Sequence, residues 1–176
     1  VSGSYFPVLG IAPALGRLIG PDDARVKGDG RVAVLAYEYW RGALGADPAV
    51  IGKTIIVNGQ SLEIIGVAPR EFQGTTLTLA PKVWVPVTLR ETMNPGWTGF
   101  ESRRSYWAYL FARLKPGVTI EQASASLNTQ YGAIIQNVEV PLQQGMSDKT
   151  MAEFKTKQVV LVPGALGQSS ARRDLT

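Results

Sequence analysis

The hydrophobic and polar positions change period several times along the chain, and each change marks an element. Residues 4–9 place Tyr5, Phe6, Val8 and Leu9 between Ser4 and Gly10, which predicts a short helical turn capped by Ser4 and ended by the glycine. Pro13, Gly16 and Gly20 interrupt the next stretch, so 10–30 is expected to be mostly loop, with Pro21-Asp22-Asp23 opening one more helical turn. Residues 32–36 form a short apolar run and read as a buried strand. Tyr37, Trp40 and Leu44 then recur at helical spacing, and Gly45 stops that helix.

Residues 47–69, D-P-A-V-I-G-K-T-I-I-V-N-G-Q-S-L-E-I-I-G-V-A-P, predict a turn, a strand over 54–57, a tight turn and a strand over 62–67. Asn58-Gly59 supplies the two positive-φ residues that a type I′ hairpin demands. Residues 83–87, V-W-V-P-V, alternate as a strand, and Pro86 sets it near an edge or an end.

Residues 90–105 are polar and turn-rich, with Asn94-Pro95-Gly96 and Arg103-Arg104, and mark a junction between two subdomains. A strand is predicted over 106–114, then a turn at Lys115-Pro116-Gly117. Thr119 with Gln122 three residues on forms a capping box. Ile120, Ala123, Leu127, Tyr131, Ile134 and Val138 come next on one face, which predicts an amphipathic helix of about five turns. A weaker helix over 147–156, a strand over 159–162 and a loose basic tail from Gly167 complete the pattern. The expected fold class is therefore α+β. It has a β-rich mixed subdomain over 1–99 and a strand-helix-strand subdomain over 100–176, without the alternation of a doubly wound sheet.

Composition narrows the chemistry. In 176 residues, 45% are hydrophobic and 18% charged, which suits a folded chain with a lightly charged surface. The net charge of +4 comes from scattered basic residues, so no nucleic-acid stripe is expected. With no Cys, disulfides, thiolate nucleophiles and nearly all structural zinc sites are excluded. With no His, the commonest general base and transition-metal ligand is missing. No apolar run reaches the roughly 18–20 residues that span a bilayer. The first residues resemble neither a signal peptide nor a start, so the chain reads as a piece of something larger.

Candidate sites are few. Asp22-Asp23 reads as helix capping, since it lacks the alternating ligands of a calcium loop. Gly28-Asp29-Gly30 precedes a strand, whereas phosphate cradles come after one. No Ser or Lys sits in a nucleophile motif. No catalytic, cofactor or metal residue is expected. The residues singled out for partner or ligand contact are Trp97, Phe100, Arg103 and Arg104, aromatics and cations on a Gly-rich loop. Packing of that loop onto its own domain is the competing reading for Trp97, and a strand entry facing the core is the one for 103–107.

Several stretches in order carry a resemblance: V-S-G-S-Y-F-P-V-L-G-I-A-P-A-L-G-R (1–17), V-A-V-L-A-Y-E-Y-W (32–40), the hairpin stretch 47–69 with R-E-F-Q-G after it, V-W-V-P-V (83–87) and R-L-K-P-G-V-T-I-E-Q-A (113–123). Together they resemble the MacB-like periplasmic core domain of ABC transporter permeases, in particular an acidobacterial-type permease group. The resemblance implies a non-enzymatic module on the periplasmic face of the bacterial inner membrane. Residues 1–99 would match the inserted β-rich subdomain and 106–163 half of the family's porter. ATP hydrolysis would occur on a separate subunit or domain. The periplasmic part would couple transmembrane motion to efflux substrates or an adaptor protein. Arg172-Arg173 would approach the membrane. The other half of the porter is not in this sequence, so self-association, or poor order of 106–163, is expected. The alternative is a small-molecule or carbohydrate-binding extracytoplasmic domain that uses the aromatic loop 94–107.

Overall fold

The computed structural model describes residues 1–76, 79–103 and 105–165. The described chain falls into two compact units, 1–112 and 113–165.

The first unit is built on a five-stranded mixed sheet. Its strands are β1 (Leu15–Gly16), β2 (Val32–Leu35), β3 (Thr54–Val57), β4 (Gln60–Val67) and β5 (Val83–Trp84). β4 is the longest and pairs with three others, antiparallel to β1 and β3 on one side and parallel to β2 on the other. β5 closes the far edge against β2. The hairpin turn forms as its residues require, with Asn58 at φ 48° and Gly59 at φ 75°. β2 and the second half of β4, residues 64–67, are apolar and covered on both faces, whereas Ser61 and Glu63 at the start of β4 are exposed. Phe6, Ile19, Val34, Ile65, Ala68 and Trp84 pack together in one buried cluster, and Leu35, Val50, Ile64 and Val67 in another.

Helix α1 (Tyr5–Leu9) brings Phe6 into the first of these clusters, and Gly10 ends it in the left-handed region. The Ser4 hydroxyl does not cap this helix; it lies 3.1 Å from Ser2 Oγ instead. Helix α2 (Tyr37–Ala43) sets Trp40 against the second cluster, where its indole N–H donates to Asp47 O at 2.9 Å. The stretch 10–30 is less irregular than expected, because Leu15 and Gly16 pair with β4. The expected turn at Pro21–Ala24 forms as a 3₁₀ turn. Its Asp23 carboxylate accepts from Arg17 Nη1 and Nη2 at 2.6 and 2.8 Å and from Gly20 N at 2.9 Å. Asp22 pairs with Arg25 on the surface. Beyond β5 the unit adds one short helix, α3 (Arg90–Met93).

In the second unit, α4 (Ile120–Ile134) starts on the expected capping box, with Gln122 N–H donating to Thr119 Oγ1 and Thr119 N–H to Gln122 Oε1. A π-helical turn (Ile135–Glu139) and a 3₁₀ turn (Val140–Leu142) extend it, and α5 (Asp148–Lys155) lies behind the Ser147 cap. Two expectations fail here and at the end of the first unit.

The strands predicted over 106–114 and 159–162 do not form, because a strand exists only with a ladder partner and neither segment has one among the described residues. At Val159 the partner is a side chain. Asn128 Nδ2 donates to Val159 O at 3.0 Å while Asn128 Oδ1 accepts from Val159 N at 2.7 Å. The helix face also turns. Ile135 is the residue that becomes buried, while Leu127, Ile134 and Val138 of the predicted stripe stay exposed. Arg172, Arg173 and the rest of the predicted basic tail lie outside the described residues.

Candidate functional site

The aromatic loop singled out in the sequence folds back onto the first unit. The chain leaves β5 through a 3₁₀ turn, Val87–Leu89, whose Thr88 and Leu89 are buried. The Thr88 hydroxyl donates to Asp29 O at 2.7 Å, and Gly28 N–H donates to Thr88 O at 2.9 Å. This paired contact satisfies a buried polar side chain and holds residues 27–29 beside helix α3. The Asn58 side chain of the hairpin turn reaches the last residue of that helix, donating to Met93 O at 3.3 Å.

After α3 the chain descends in short turns. Trp97 N–H donates to Asn94 O at 3.1 Å, Glu101 N–H to Thr98 O at 3.3 Å and Ser105 N–H to Ser102 O at 3.2 Å. These turns stack three rings edge to face. Trp97 and Phe100 lie 4.9 Å apart, Trp97 and Trp107 4.9 Å, and Phe100 and Trp107 5.3 Å, all with interplanar angles of 80–84°. Gly99 is buried beneath the Trp97 ring, where a Cβ would stand 2.2 Å from Cζ2, so only glycine admits this approach.

Cations cover the rings. The Arg90 guanidinium sits 4.5 Å from the Trp97 centroid and 4.9 Å from that of Trp107, and Lys27 Nζ 5.7 Å from that of Phe100. Lys27 also meets Glu91 Oε2 at 2.7 Å and Glu101 Oε1 at 3.6 Å. The Glu91 hydrogen bond raises the Lys27 pKa, so this ammonium stays charged throughout the physiological range. Each edge-to-face pair adds about 0.5–1.5 kcal/mol, and each exposed cation–π contact about 0.5–1 kcal/mol. All three rings remain half-buried, so the cluster is held by directed contacts more than by burial.

Of the residues singled out in the sequence, Trp97 and Phe100 are brought together. Arg103 is exposed, and Arg104 lies outside the described residues. Arg90, Lys27 and Trp107 complete the cluster. Arg90 and Lys27 carried no signal beyond being basic residues, because 63 positions separate them. Tyr106, just before Trp107, is 89% exposed, and Leu110, three residues past it, 93% exposed. An open groove of about 640 Å³ borders the cluster, lined in part by Tyr5, Val8, Trp84, Arg90, Trp107 and Leu110. No group of three or more Asp, Glu, His or Cys among the described residues is arranged to hold a metal ion. No helix among them is long and apolar enough to cross a membrane.

No curated protein matches the sequence. Among solved structures, the periplasmic region of MacB from Actinobacillus actinomycetemcomitans is similar in fold, with a TM-score of 0.50 at 20% identity. The match covers 76% of this chain and 54% of that one, so the chain spans about half the length of the MacB region. The family described as the MacB-like periplasmic core domain matches residues 1–130, from the first helix to the middle of α4. The chain belongs to the MacB-like periplasmic core domain family.

Proposed function

We propose that this chain is a non-catalytic periplasmic module of an ABC transporter permease, passing the motion of membrane helices to a substrate or a partner protein. The observation that carries this reading is the family match across residues 1–130, which includes the whole sheet unit. The ATP-binding subunit or domain, the transmembrane helices and any periplasmic adaptor belong to the parent assembly. In this reading, residues 1–99 act as the inserted subdomain and 100–176 as half of a porter.

The packing of the aromatic loop agrees with this. Trp97, Phe100 and Trp107 pack edge to face, and cations lie over them. Rings arranged this way serve as loop anchors more readily than as a stacking platform for a sugar or small ligand. The exposed apolar residues Leu127, Ile134 and Val138 on the second unit, with Tyr106 and Leu110 on the first, are surfaces for covering protein. In the isolated chain, a second copy takes that place.

The test uses a permease that carries this domain. Cross-linking within the periplasmic module should abolish transport while ATP hydrolysis continues. Unchanged transport after removal of the module would overturn the reading. Sedimentation of the isolated chain should show concentration-dependent self-association. A strict monomer with protected amides throughout 106–163 would sink that part.

A further inference from the structure

The groove of about 640 Å³ in the sheet unit lies in the size range of small-molecule sites. Its lining is held in place from two sides of the fold. Tyr5 and Val8 belong to α1, which Phe6 seats in the core, and Trp84 is itself a core residue at 5% exposed. Residues 107–111 supply another part of the lining, and they start at Trp107, which packs against Trp97 and Phe100. The hydroxyls of Tyr5 and Thr75 meet at 3.2 Å and tie a third lining segment to α1. A site built before its ligand arrives loses less entropy on binding.

Charge in this groove has one sign. Among the described residues that line it, Arg90 carries the single charged side chain, and none is Asp or Glu. The neighbouring carboxylates Glu91 and Glu101 are paired with Lys27, and no ion pair among the described residues of the sheet unit includes Arg90. The Val1 amino group also lines the groove, but it donates to Val85 O at 2.7 Å. Burial, with the charge of Arg90 adding to it, lowers its pKa to about 6, so it is mostly neutral near pH 7. Trp97 and Trp107 fix the guanidinium at 4.5 and 4.9 Å from their centroids. Such contacts use the flat faces of a guanidinium, and its N–H donors lie at the edge, where a carboxylate accepts two parallel bonds.

We propose that this groove is a binding site for a single-chain carboxylate with an apolar body, of the fatty-acid type. The carboxylate meets the edge of Arg90. The apolar chain runs along Tyr5, Trp84 and Leu110, and covers part of the Leu110 side chain that stands 93% exposed. One guanidinium without a second cation neutralises a monoanion, whereas a phosphate dianion would keep half its charge on an apolar lining. Trp97 and Phe100 hold Arg90 and Trp107 in position and do not stack on the ligand. The site goes beyond the coupling role and does not depend on it.

The test is a titration of the full chain with decanoate, below its micelle concentration, followed by two-dimensional amide NMR. Leu110 also belongs to the surface offered to a covering protein, so the chain is used at a concentration where it sediments as a monomer. Decanoate should give saturable shifts at Tyr5, Thr75 and the indole N–H groups of Trp84 and Trp107, with the Trp40 indole unmoved. Decanol and decyltrimethylammonium should bind at least about tenfold more weakly, because neither offers an anion to Arg90. Arg90→Gln should erase the preference for decanoate over decanol. Ala108→Glu places a carboxylate on an exposed position of the groove and guards against a folding effect at residue 90. It should weaken decanoate by about tenfold and leave decanol within about twofold. The proposal is overturned if decanol binds as tightly as decanoate, if either variant keeps the full preference, or if the shifts fall outside the groove. Failure of transport to respond to removal of the module would sink the coupling role and leave these binding results untouched.

Discussion

Two aromatic clusters sit in the same unit and hold their rings by the same geometry, yet they do different work. Tyr5, Phe6, Phe72 and Trp84 meet at centroid distances of 5.2–6.2 Å, mostly edge to face. Trp97, Phe100 and Trp107 are closer still, at 4.9–5.3 Å. Ring spacing alone would make the second cluster the stronger. The surroundings of the rings reverse that order. Phe6 and Trp84 are 1% and 5% exposed beneath Ile19, Val34 and Ile65, so they gain the full transfer of apolar surface from water. The second set is half in solvent and backed by Arg90, Lys27, Glu91 and Glu101. Burial fixes the first, whereas quadrupole and charge fix the second.

The largest test of this contrast is Phe6→Ala. It removes a ring that touches Tyr5, Phe72 and Trp84 in a sealed site, so a cavity remains and about 3–5 kcal/mol should be lost. Denaturant unfolding monitored by circular dichroism should show the whole sheet unit giving way earlier. A loss below 1 kcal/mol would mean that the site collapses freely and that the packing is loose.

Trp107→Ala is the matched experiment in the second cluster. It forfeits two ring pairs and one cation contact, about 1.5–4 kcal/mol in sum. The loss should appear as local exchange near 97–112, with the midpoint of sheet unfolding moved much less than by Phe6→Ala. Equal effects of the two substitutions on the sheet midpoint would erase the distinction between the clusters.

Neither cluster was visible as a unit in the sequence, and the reason is the range over which each piece is specified. The hairpin was legible because Asn58 and Gly59 carry their own requirement for positive φ. The start of α4 was legible because Thr119 and Gln122 satisfy each other within one turn. Phe6 and Trp84 are far apart in the chain, and nothing periodic links them. The apolar run over 106–114 showed that its residues suit a sheet, but a run cannot show that a partner strand exists.

The face of α4 failed for a similar reason. Periodicity chose the stripe through Leu127 and Ile134, while Asn128, which holds both backbone groups of Val159, brought the neighbouring face into contact. In the site, Trp97 and Phe100 were legible as loop aromatics. Arg90 was not, because its role depends on the turns that bring Trp107 back to it.

Asp23 ties a turn to the buried cluster, and this predicts a pH dependence. Ile19 enters the cluster from a turn closed by Arg17 and Asp23, and the Asp23 side chain is 11% exposed. The Arg17 hydrogen bonds hold the Asp23 pKa below its usual value. A carboxylate depressed on folding contributes stability that is complete above its unfolded pKa, near 3.9. That contribution disappears as pH falls through the lower folded value. Asp23→Asn should therefore cost about 1 kcal/mol at pH 7, since the Arg17 end of the pair is exposed. The cost should shrink toward zero in the most acid part of the unfolding profile. A cost that does not change with pH would show that the turn is held by its backbone, and the Asp23–Arg17 pair would then have no part in seating Ile19.

The smallest expected effect is the one that separates burial from charge most cleanly. Salt screens exposed charges over about 10 Å at 0.1 M and about 3 Å at 1 M, but leaves apolar burial in place. Lys27 reaches Glu91 and Glu101 from the solvent side, so its pairs should weaken as salt rises. Arg90 stacks on its rings through a weakly hydrated plane and should be less sensitive. Raising sodium chloride from 0.05 to 1 M (about twentyfold) should then speed exchange over 97–107 by a factor of about two, with Phe6 and Trp84 undisturbed. Lys27→Met should remove most of that salt response without opening the cluster, because Phe100 keeps both tryptophan contacts. If the response survives in Lys27→Met, the screened charge is Arg90. The two cations would then act as one group, and the cluster would open by losing charge before it loses its ring contacts.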